Sequence, residues 1–543
     1  MKSPLQSQIL YWLLLFVFLG AAFVQGYNAV KDLNWGYDYD SNRDMAFANS
    51  MLDNEYGEDP SYLNEYIWYN PLVTVIESAI VKCSNFPLNI VISRAGAFLN
   101  LLAPLAFFLM MSIWFDKGIA LAATAGFIFF NLCEMPGWTA ASYSPWLYPV
   151  VFVQSFFYIG VAVVYKAFNE WKRGWFILLG IILGICFTGH SAPTLILILI
   201  TLVLAFKKIR NAKTSNRNKM IFETVKKGSL SFLLFAAISL PFTYFVVGKY
   251  QLHMQNTYAY EYTNDLFQWY NLPELILKNL SFSLLISIFG AFFFFRKGKD
   301  KMLSQIIIAW IMICVVLYIY TSAIVIIRYH LNIKLPGIVP SFHFFFYLKS
   351  LQALFFGIGL YQLLSLVYQY FINRFQKFRL DPVHFEKYFL PVTLLLMVAV
   401  NYPFYANSYD LKMNEDRGIY KNNAVSQNEV YNWILGHTDD NKVFLCSLEN
   451  SDFPMLATGR KMVAVSPTMS NPYVDYITRN EHRNEMLSML AGETPFTNNS
   501  LFKEYSVSYL LVDKNEKQEL PLIQNIFPHL VFANSEFYIY SIH

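Results

Sequence analysis

Long apolar runs are the feature that most constrains this sequence. A membrane-spanning helix needs about 20 mostly apolar residues, because each residue advances the helix by about 1.5 Å across the hydrocarbon core. Eleven segments meet this requirement, at residues 8–27, 90–115, 118–134, 146–166, 174–190, 192–207, 229–248, 276–295, 302–327, 344–370 and 388–405. The sequence therefore predicts an α-helical polytopic membrane protein whose main partner is the lipid bilayer.

Composition supports this prediction and excludes other classes. Only 14% of the 543 residues are charged, whereas a typical soluble domain has about 25%. The net charge of +4 comes mostly from loops, and no basic patch is interleaved with aromatic residues, so no nucleic-acid partner is expected. The five cysteines are widely spaced and predict neither a disulfide framework nor a CxxC metal site.

The distribution of basic residues predicts the orientation of the chain. Short loops rich in Lys and Arg stay in the cytoplasm, and the loop at 207–227 contains Lys207, Lys208, Arg210, Lys213, Arg217, Lys219, Lys226 and Lys227. The first apolar run has no small-x-small cleavage site, which favours a retained anchor. We therefore expect a cytoplasmic N-terminus, an external loop at 28–89 and an external C-terminal segment, with domains at 1–405 and 406–543.

The C-terminal segment differs in pattern from the rest of the chain. Apolar alternation at 442–446, 507–512 and 537–541 is typical of strands, and polar patches at 426–435 and 479–490 are typical of surface helices. Strands that alternate with helices predict a small α/β domain outside the membrane.

Two amphipathic helices are predicted within the first external loop. In the first, Ser41 is the expected cap, and an apolar stripe of Met45, Ala48 and Leu52 follows. The second is expected to begin at Pro71 and to place Leu72, Val75, Ile76 and Ala79 on one face. Both helices are expected at the membrane interface.

The stretch WGYDYDSNRDM carries an unusual density of acids. One interpretation is a capped interfacial helix with solvated acids, because negative charge is favoured before a helix N-terminus. The alternative rests on spacing: residues two apart in an extended segment project to the same side, so Asp38 and Asp40 would face one cavity. A carboxylate placed there can act as a general base, a role that contributes about 10²–10⁴-fold in rate.

Several motifs of this loop resemble those of a known superfamily. The aspartates of GYDYD, the acidic helix SNRDMAFANSMLDN, the turn GEDPSY and the helix start YNPL follow the first membrane helix. This arrangement, with eleven helices and an external domain, resembles the membrane-embedded glycosyltransferases of the GT-C superfamily. The resemblance covers the whole architecture, but its motif occupies about 45 residues.

The resemblance implies an inverting sugar transfer on the external face. The implied donor is a polyprenyl-phosphate sugar, and the acceptor is a glycan, a lipid or a protein. An aspartate of the first external loop is implied to be the base, which corresponds here to Asp40 or Asp38, with Asp40 favoured because it adjoins the helix start. Arg43 and Asp44 are candidate substrate contacts. A bacterial inner membrane is the expected location.

A second acidic motif, present in many members of this superfamily, is missing from the next external loop. Residues 135–145 contain no acid, and only Glu134 stands at their edge. Glu134 is therefore kept as a candidate substrate contact. A divalent metal is possible but not required by the sequence, and its candidate ligands are Asp40 and Glu134.

Other polar residues near the predicted external boundary are candidates for binding the phosphate of the donor, because developing negative charge needs cations or hydrogen-bond donors. They are His190, Arg328, His330, His343 and Lys349. Helix capping by His190 and interfacial anchoring by Arg328 are the structural alternatives. The long aromatic loop at 248–274, with Tyr258 and Tyr260, is expected to cover the site, or else to anchor the chain at the interface.

Two other functions remain open from the sequence. A lipid-linked oligosaccharide flippase would be expected to show related halves or broken helices in matching positions, and no such symmetry is visible. A polysaccharide polymerase or ligase shares the lipid-linked donor but usually places its chemistry in a large later external loop, for which 249–275 is the candidate.

Overall fold

The computed structural model describes residues 5–36, 38–130, 143–256, 268–297, 300–333, 335, 337, 339–374, 384–494 and 500–542. The chain divides into two compact units. The first, called the helical unit, contains residues 1–31, 96–239 and 263–413. The second, called the sheet unit, contains residues 32–95, 240–262 and 414–543.

The described part of the helical unit consists mainly of helices. Those that lie wholly within it are Leu5–Val30, Gly96–Leu99, Leu102–Trp114, Lys117–Ala125 with its π-helical continuation Gly126–Phe130, Pro149–Glu170, Arg173–Gly189, Ser191–Arg210, Leu272–Lys278, Phe282–Lys297, Lys301–Leu331, Phe342–Arg374 and Leu390–Ala406. The helices Arg217–Thr243 and Tyr409–Asn423 contain unit boundaries.

Apolar helices occur at all eleven positions predicted from hydropathy. Among the described residues, eight helices are long and apolar enough to cross a membrane, and a bent pair, Leu272–Lys278 with Phe282–Arg296, gives a ninth. The helices at the third and fifth predicted positions, Lys117–Phe130 and Arg173–Gly189, are apolar but shorter. The protein is thus a multi-pass integral membrane protein. Its orientation stays a prediction.

Two helices of the helical unit approach each other closely through glycines. A Cβ atom added at Gly290 would collide with the carbonyl oxygen of Phe355, and one added at Gly359 would collide with the carbonyl oxygen of Ile286. Small residues allow helix backbones to pack closely in a membrane, where no hydrophobic force draws helices together. This pair of glycines sets the contact between Phe282–Lys297 and Phe342–Arg374.

The sheet unit contains a five-stranded mixed sheet. Its strands are β1 (Val443–Leu445), β2 (Lys461–Met462), β3 (Val507–Asp513), β4 (His529–Ala533) and β5 (Phe537–Ser541), in the spatial order β2-β1-β3-β5-β4. Strands β2, β1 and β3 are parallel, whereas β3, β5 and β4 are antiparallel. The sheet is accompanied by helices Val425–His437, Tyr476–Ala491, Ser500–Glu504 and Lys514–Glu519.

Residues 32–95, which include most of the predicted first external loop, belong to the sheet unit. They form helices Tyr39–Leu52, Leu72–Ser84 and Leu88–Arg94. Met462 N–H donates to the Ser61 carbonyl at 2.7 Å, and Asn49 Nδ2 donates to the Ala457 carbonyl at 2.9 Å. Residues some 400 positions apart therefore share one core. The predicted domain boundary at 405/406 stays a prediction, and the compact units divide the chain elsewhere.

Candidate active site

The helix Tyr39–Leu52 begins with a capping box formed by Asp38 and Ser41. Ser41 N–H donates to Asp38 Oδ1 at 2.9 Å, and Asp38 N–H donates to Ser41 Oγ at 3.1 Å. The prediction that Ser41 is the cap is wrong. The N-cap residue is Asp38, whose side chain accepts the backbone N–H of Ser41, and the Ser41 hydroxyl at the third helical position accepts the backbone N–H of Asp38. Asp40 therefore lies in the first helical turn and not in an extended segment beside Asp38.

Arg43 holds three side chains of this loop together. Its Nη1 donates to Asp40 Oδ1 at 2.7 Å, and its Nε and Nη2 donate to Asp44 Oδ1 at 3.1 and 3.0 Å. Nη2 also donates to the Tyr69 hydroxyl at 2.7 Å. A planar guanidinium with donors in a fixed fork is suited to such multiple contacts. Arg43 thus fixes the position of Asp40.

The two carboxylates bound by Arg43 differ in access to solvent. The side chain of Asp40 is 43% exposed, whereas that of Asp44 is 3% exposed. Burial raises the pKa of Asp44, and the Arg43 guanidinium opposes that rise. Asp40 is thus the solvent-accessible carboxylate of the two, while Asp44 binds the arginine from the buried side.

Glu77 is a buried acid that the sequence prediction missed. It is fully buried in helix Leu72–Ser84, and among the described residues its carboxyl oxygens have no hydrogen-bond partner. Burial, followed by the nearby charge of Asp44, raises the pKa of Glu77 well above its ordinary value. Since an unpaired buried charge is costly, this environment favours the neutral form of Glu77.

The same helix buries a face with three polar residues, whereas its predicted apolar stripe is partly or largely exposed. Val73, Thr74, Glu77 and Ser78 are buried, and Ser78 Oγ donates to the Ala48 carbonyl at 3.1 Å. Val75, from the predicted stripe, is 42% exposed. The polar residues at positions 74, 77 and 78 were the sequence signal for this buried face. In the preceding helix, Met45 and Ala48 of the predicted apolar stripe are fully buried.

Two predicted histidines meet within the helical unit. The rings of His190 and His343 have centroids 4.7 Å apart. His190 also caps helix Ser191–Arg210, because its Nδ1 accepts from Ala192 N–H at 3.2 Å. The structural alternative of helix capping is therefore present, together with a histidine pair that the sequence did not predict.

The other predicted cations of the helical unit lie in local contacts. Arg328 Nη2 donates to the Leu335 carbonyl at 3.3 Å, and His330 is exposed near the end of the same helix. Lys349 is buried, and its Nζ donates to Gln352 Oε1 at 2.7 Å. Their predicted role in phosphate binding stays a prediction. Glu134, Tyr258 and Tyr260 lie outside the described residues.

A metal site was left open by the sequence. Within the described ranges, no group of three or more His, Cys, Asp or Glu side chains is arranged to hold a metal ion. Of the two candidate ligands, Asp40 instead pairs with Arg43.

Comparisons with known proteins identify the fold. No protein-family model matches the chain, and no curated protein matches it. The apo oligosaccharyltransferase of Archaeoglobus fulgidus aligns with a TM-score of 0.56 and 12% identity over 95% of this chain and 72% of that one. ArnT from Cupriavidus metallidurans bound to undecaprenyl phosphate aligns with a TM-score of 0.53 and 12% identity over 98% of both chains.

A third solved structure is the oligosaccharyltransferase AglB from Archaeoglobus fulgidus in complex with an inhibitory peptide and a dolichol-phosphate. It aligns with a TM-score of 0.51 and 12% identity over 96% of this chain and 73% of that one. At this identity the likeness shows the fold. The chain has the GT-C architecture, and the predicted fold class, with its membrane helices and its small C-terminal sheet, is confirmed.

Proposed function

We propose that this chain is a membrane glycosyltransferase that moves a sugar from a polyprenyl-phosphate donor to an acceptor on the extracytoplasmic face, with inversion at the anomeric carbon. The GT-C fold supports the reaction class, and two of the fold neighbours were solved with dolichol-phosphate or undecaprenyl phosphate bound. The observation that carries the proposal is the exposed carboxylate of Asp40, fixed by Arg43 at 2.7 Å.

Asp40 is the proposed general base. Arg43 engages Oδ1, so Oδ2 is the oxygen proposed to take the acceptor proton. As the acceptor hydroxyl loses its proton to Asp40, its oxygen bonds to the anomeric carbon of the donor. The bond from that carbon to the phosphate oxygen breaks, and polyprenyl phosphate leaves with the bonding electrons. His190, Arg328, His330, His343 and Lys349 remain the predicted contacts for the phosphate.

Asp38 is assigned a structural role. Its carboxylate caps the helix, and its backbone carbonyl accepts from Lys421 Nζ at 3.3 Å. A carboxylate that caps a helix holds in place the first turn, which carries Asp40. Under this proposal the base is Asp40, and Asp38 supports the helix turn that carries it.

Paired variants test the assignment. Purified full-length protein in nanodiscs is given a panel of polyprenyl-phosphate hexoses and pentoses, with a membrane glycan and glycolipid extract as acceptor, and release of polyprenyl phosphate is measured. Asp40→Asn is expected to lower turnover by about 10²–10⁴-fold because it removes the base. Asp38→Asn is the matched control and is expected to retain turnover, because Asn and Asp cap helices about equally well.

Three outcomes would contradict the proposal. Full turnover by a folded Asp40→Asn variant would remove Asp40 from the mechanism. Movement of labelled lipid across the bilayer without cleavage would indicate a flippase instead. Equal losses in the two variants would show that Asp38 is more than a cap.

A further inference from the structure

The sheet unit contains a cavity whose lining includes none of the residues of the Asp40 cluster. Its volume is about 430 Å³, and its walls come from the first external loop at 63–65, from the start of helix Tyr476–Ala491, and from the segment at 504–506 before β3. Small-molecule sites commonly have volumes of about 300–1,000 Å³. The cavity is therefore large enough for a ligand the size of a sugar ring.

The walls of this cavity are polar and carry an excess of negative charge. Three carboxylates line it, from Glu65, Asp475 and Glu504, against the one guanidinium of Arg479. The formal charge of these lining residues is thus −2 when all four are ionised. Ionised carboxylates accept hydrogen bonds and cannot donate them. A ligand that suits these walls must supply donors and must not carry negative charge.

Arg479, the cation of the cavity wall, is already engaged by the protein. Its guanidinium lies 4.3 Å from the ring centroid of Tyr62, and its Nη1 donates to the Val463 carbonyl at 3.3 Å. A guanidinium held in this way has fewer hydrogen-bond donors available for an anionic ligand than one that extends into the cavity. The excess of carboxylates therefore decides the charge preference.

Several wall residues are held in fixed positions. Tyr250 donates from its hydroxyl to Glu65 Oε2 at 3.0 Å and stacks on Tyr473 with ring centroids 4.6 Å apart. Asp475 Oδ2 accepts from the Thr478 hydroxyl at 2.7 Å. Tyr505, which is partly exposed, has its hydroxyl 2.9 Å from His482 Nδ1. Fixed acceptors and an accessible aromatic ring reduce the ordering cost of binding.

We propose that this cavity binds an uncharged sugar residue. Sugar hydroxyls provide the donors that Glu65, Asp475 and Glu504 require, and the apolar face of a pyranose ring can pack on the ring of Tyr505, since tyrosine presents an apolar body with a polar tip. A uronic acid would meet like charge in the walls. That this sugar belongs to the acceptor rests on the proposed transferase function, whereas the binding itself does not.

Matched sugar pairs test the binding directly. Saturation-transfer NMR on full-length protein in nanodiscs compares methyl glucoside with methyl glucuronide and methyl galactoside with methyl galacturonide. At least one neutral sugar is expected to bind, with its uronic acid counterpart at least fivefold weaker. Tyr505→Ala is expected to weaken neutral-sugar binding at least fivefold. Glu519→Gln, an exposed acid outside the cavity walls, is the control and is expected to leave binding unchanged.

A charge variant gives a second readout. The double change Asp475→Asn with Glu504→Gln removes two of the three carboxylates while keeping side-chain size and a cap at residue 475. The preference for the neutral sugar over its uronic acid is expected to fall at least fivefold. Failure of every sugar to bind, binding that ignores Tyr505→Ala, a preference unchanged in the double variant, or a basic peptide that binds in place of the sugars would overturn the inference.

These outcomes separate the inference from the proposed function. Sugar binding that persists in Asp40→Asn protein supports the cavity whether or not transfer occurs. Asp40-dependent transfer by a protein that binds none of the sugars would overturn the cavity proposal alone.

Discussion

Arg43 is the residue on which the geometry of the candidate site depends, because it is hydrogen-bonded to Asp40, Asp44 and Tyr69. A lysine at this position keeps the charge but cannot reproduce the planar fork. Arg43→Lys is therefore expected to lower kcat by about 10–100-fold, since a displacement of about 1 Å in a catalytic group can cost about 10²-fold. KM is expected to change less than threefold.

This prediction is checked by measuring kcat and KM for Arg43→Lys and for the control variant Arg94→Lys. Arg94 donates to the Leu33 carbonyl at 3.0 Å in the same unit and touches none of the three side chains, so its substitution is expected to leave both constants near wild type. A rise in KM with an unchanged kcat would instead make Arg43 a substrate contact, as the sequence predicts.

What the sequence could show at this scale was which residue types stand in the loop. The motif identified Asp40 and Asp38 as candidates, because acids beside an apolar run are conspicuous. The roles proposed for them depend on where the helix begins. A shift of one residue in the helix start decides whether an acid caps the helix or lies in its first turn. Glu77 was missed because the sequence analysis considered only the apolar stripe of its helix, and Glu77 lies on the opposite face.

At the scale of elements, the glycine contact between Phe282–Lys297 and Phe342–Arg374 makes a specific prediction. Gly359→Ala would place a Cβ against the Ile286 carbonyl, and a backbone atom cannot move aside as a flexible side chain can. Overpacking of this kind costs about 1–3 kcal/mol. The thermal unfolding midpoint of the detergent-solubilised protein is therefore expected to fall.

Gly228→Ala is the matched control, because no heavy atom lies within 4 Å of the added Cβ at that position. Its midpoint is expected to stay at or above that of the wild type, since alanine favours the helical state over glycine. Equal midpoints for the two variants would show that the glycine contact does not limit packing.

Elements with a local signal were predictable, and those formed by distant pairing were not. Hydropathy gave the apolar helices, and alternation gave β1, β3 and β5. Strand β2 has only two residues, and it is a strand because Val443 and Phe444 pair with Lys461 and Met462. The five residues of β4 are mostly exposed, so they lack the buried alternation that a sequence pattern would reveal.

The composition of the two compact units could not be read from the sequence, because hydropathy is local and the sheet unit joins distant parts of the chain. Lys461 is fully buried, and its Nζ donates to the Asp59 carbonyl at 2.8 Å and lies 3.6 Å from carboxylate oxygens of Glu55 and Glu58. Arg460 pairs with Asp53 at 2.9 Å. Both basic residues therefore bind the segment at 53–59 of the same unit.

Asp59 is expected to make stability depend on pH at the contact between residues 53–59 and residues 460–471, called the junction below. Its side chain accepts from Ser61 N–H at 2.7 Å and from Asn471 Nδ2 at 2.7 Å, and burial nevertheless raises its pKa from 3.8 to about 6. The folded protein therefore binds a proton that the unfolded chain has released between these pH values. Through this group, stability falls as pH rises from about 4 to about 6, by at most about 1.4 kcal/mol per pH unit.

Asp59→Asn is expected to remove this contribution, so that the unfolding midpoint falls less steeply, or rises more steeply, from pH 4 to pH 6 than in the wild type. The amide keeps the acceptor for Ser61 but places a donor against the Asn471 side chain, which lowers stability. This loss of stability is the same at every pH because amides do not titrate. Glu519→Gln, an exposed acid outside the junction, is expected to keep the wild-type slope. Unfolding midpoints measured at half-unit steps give the three slopes, and identical slopes for Asp59→Asn and wild type would mean that Asp59 stays ionised in the folded protein throughout this range.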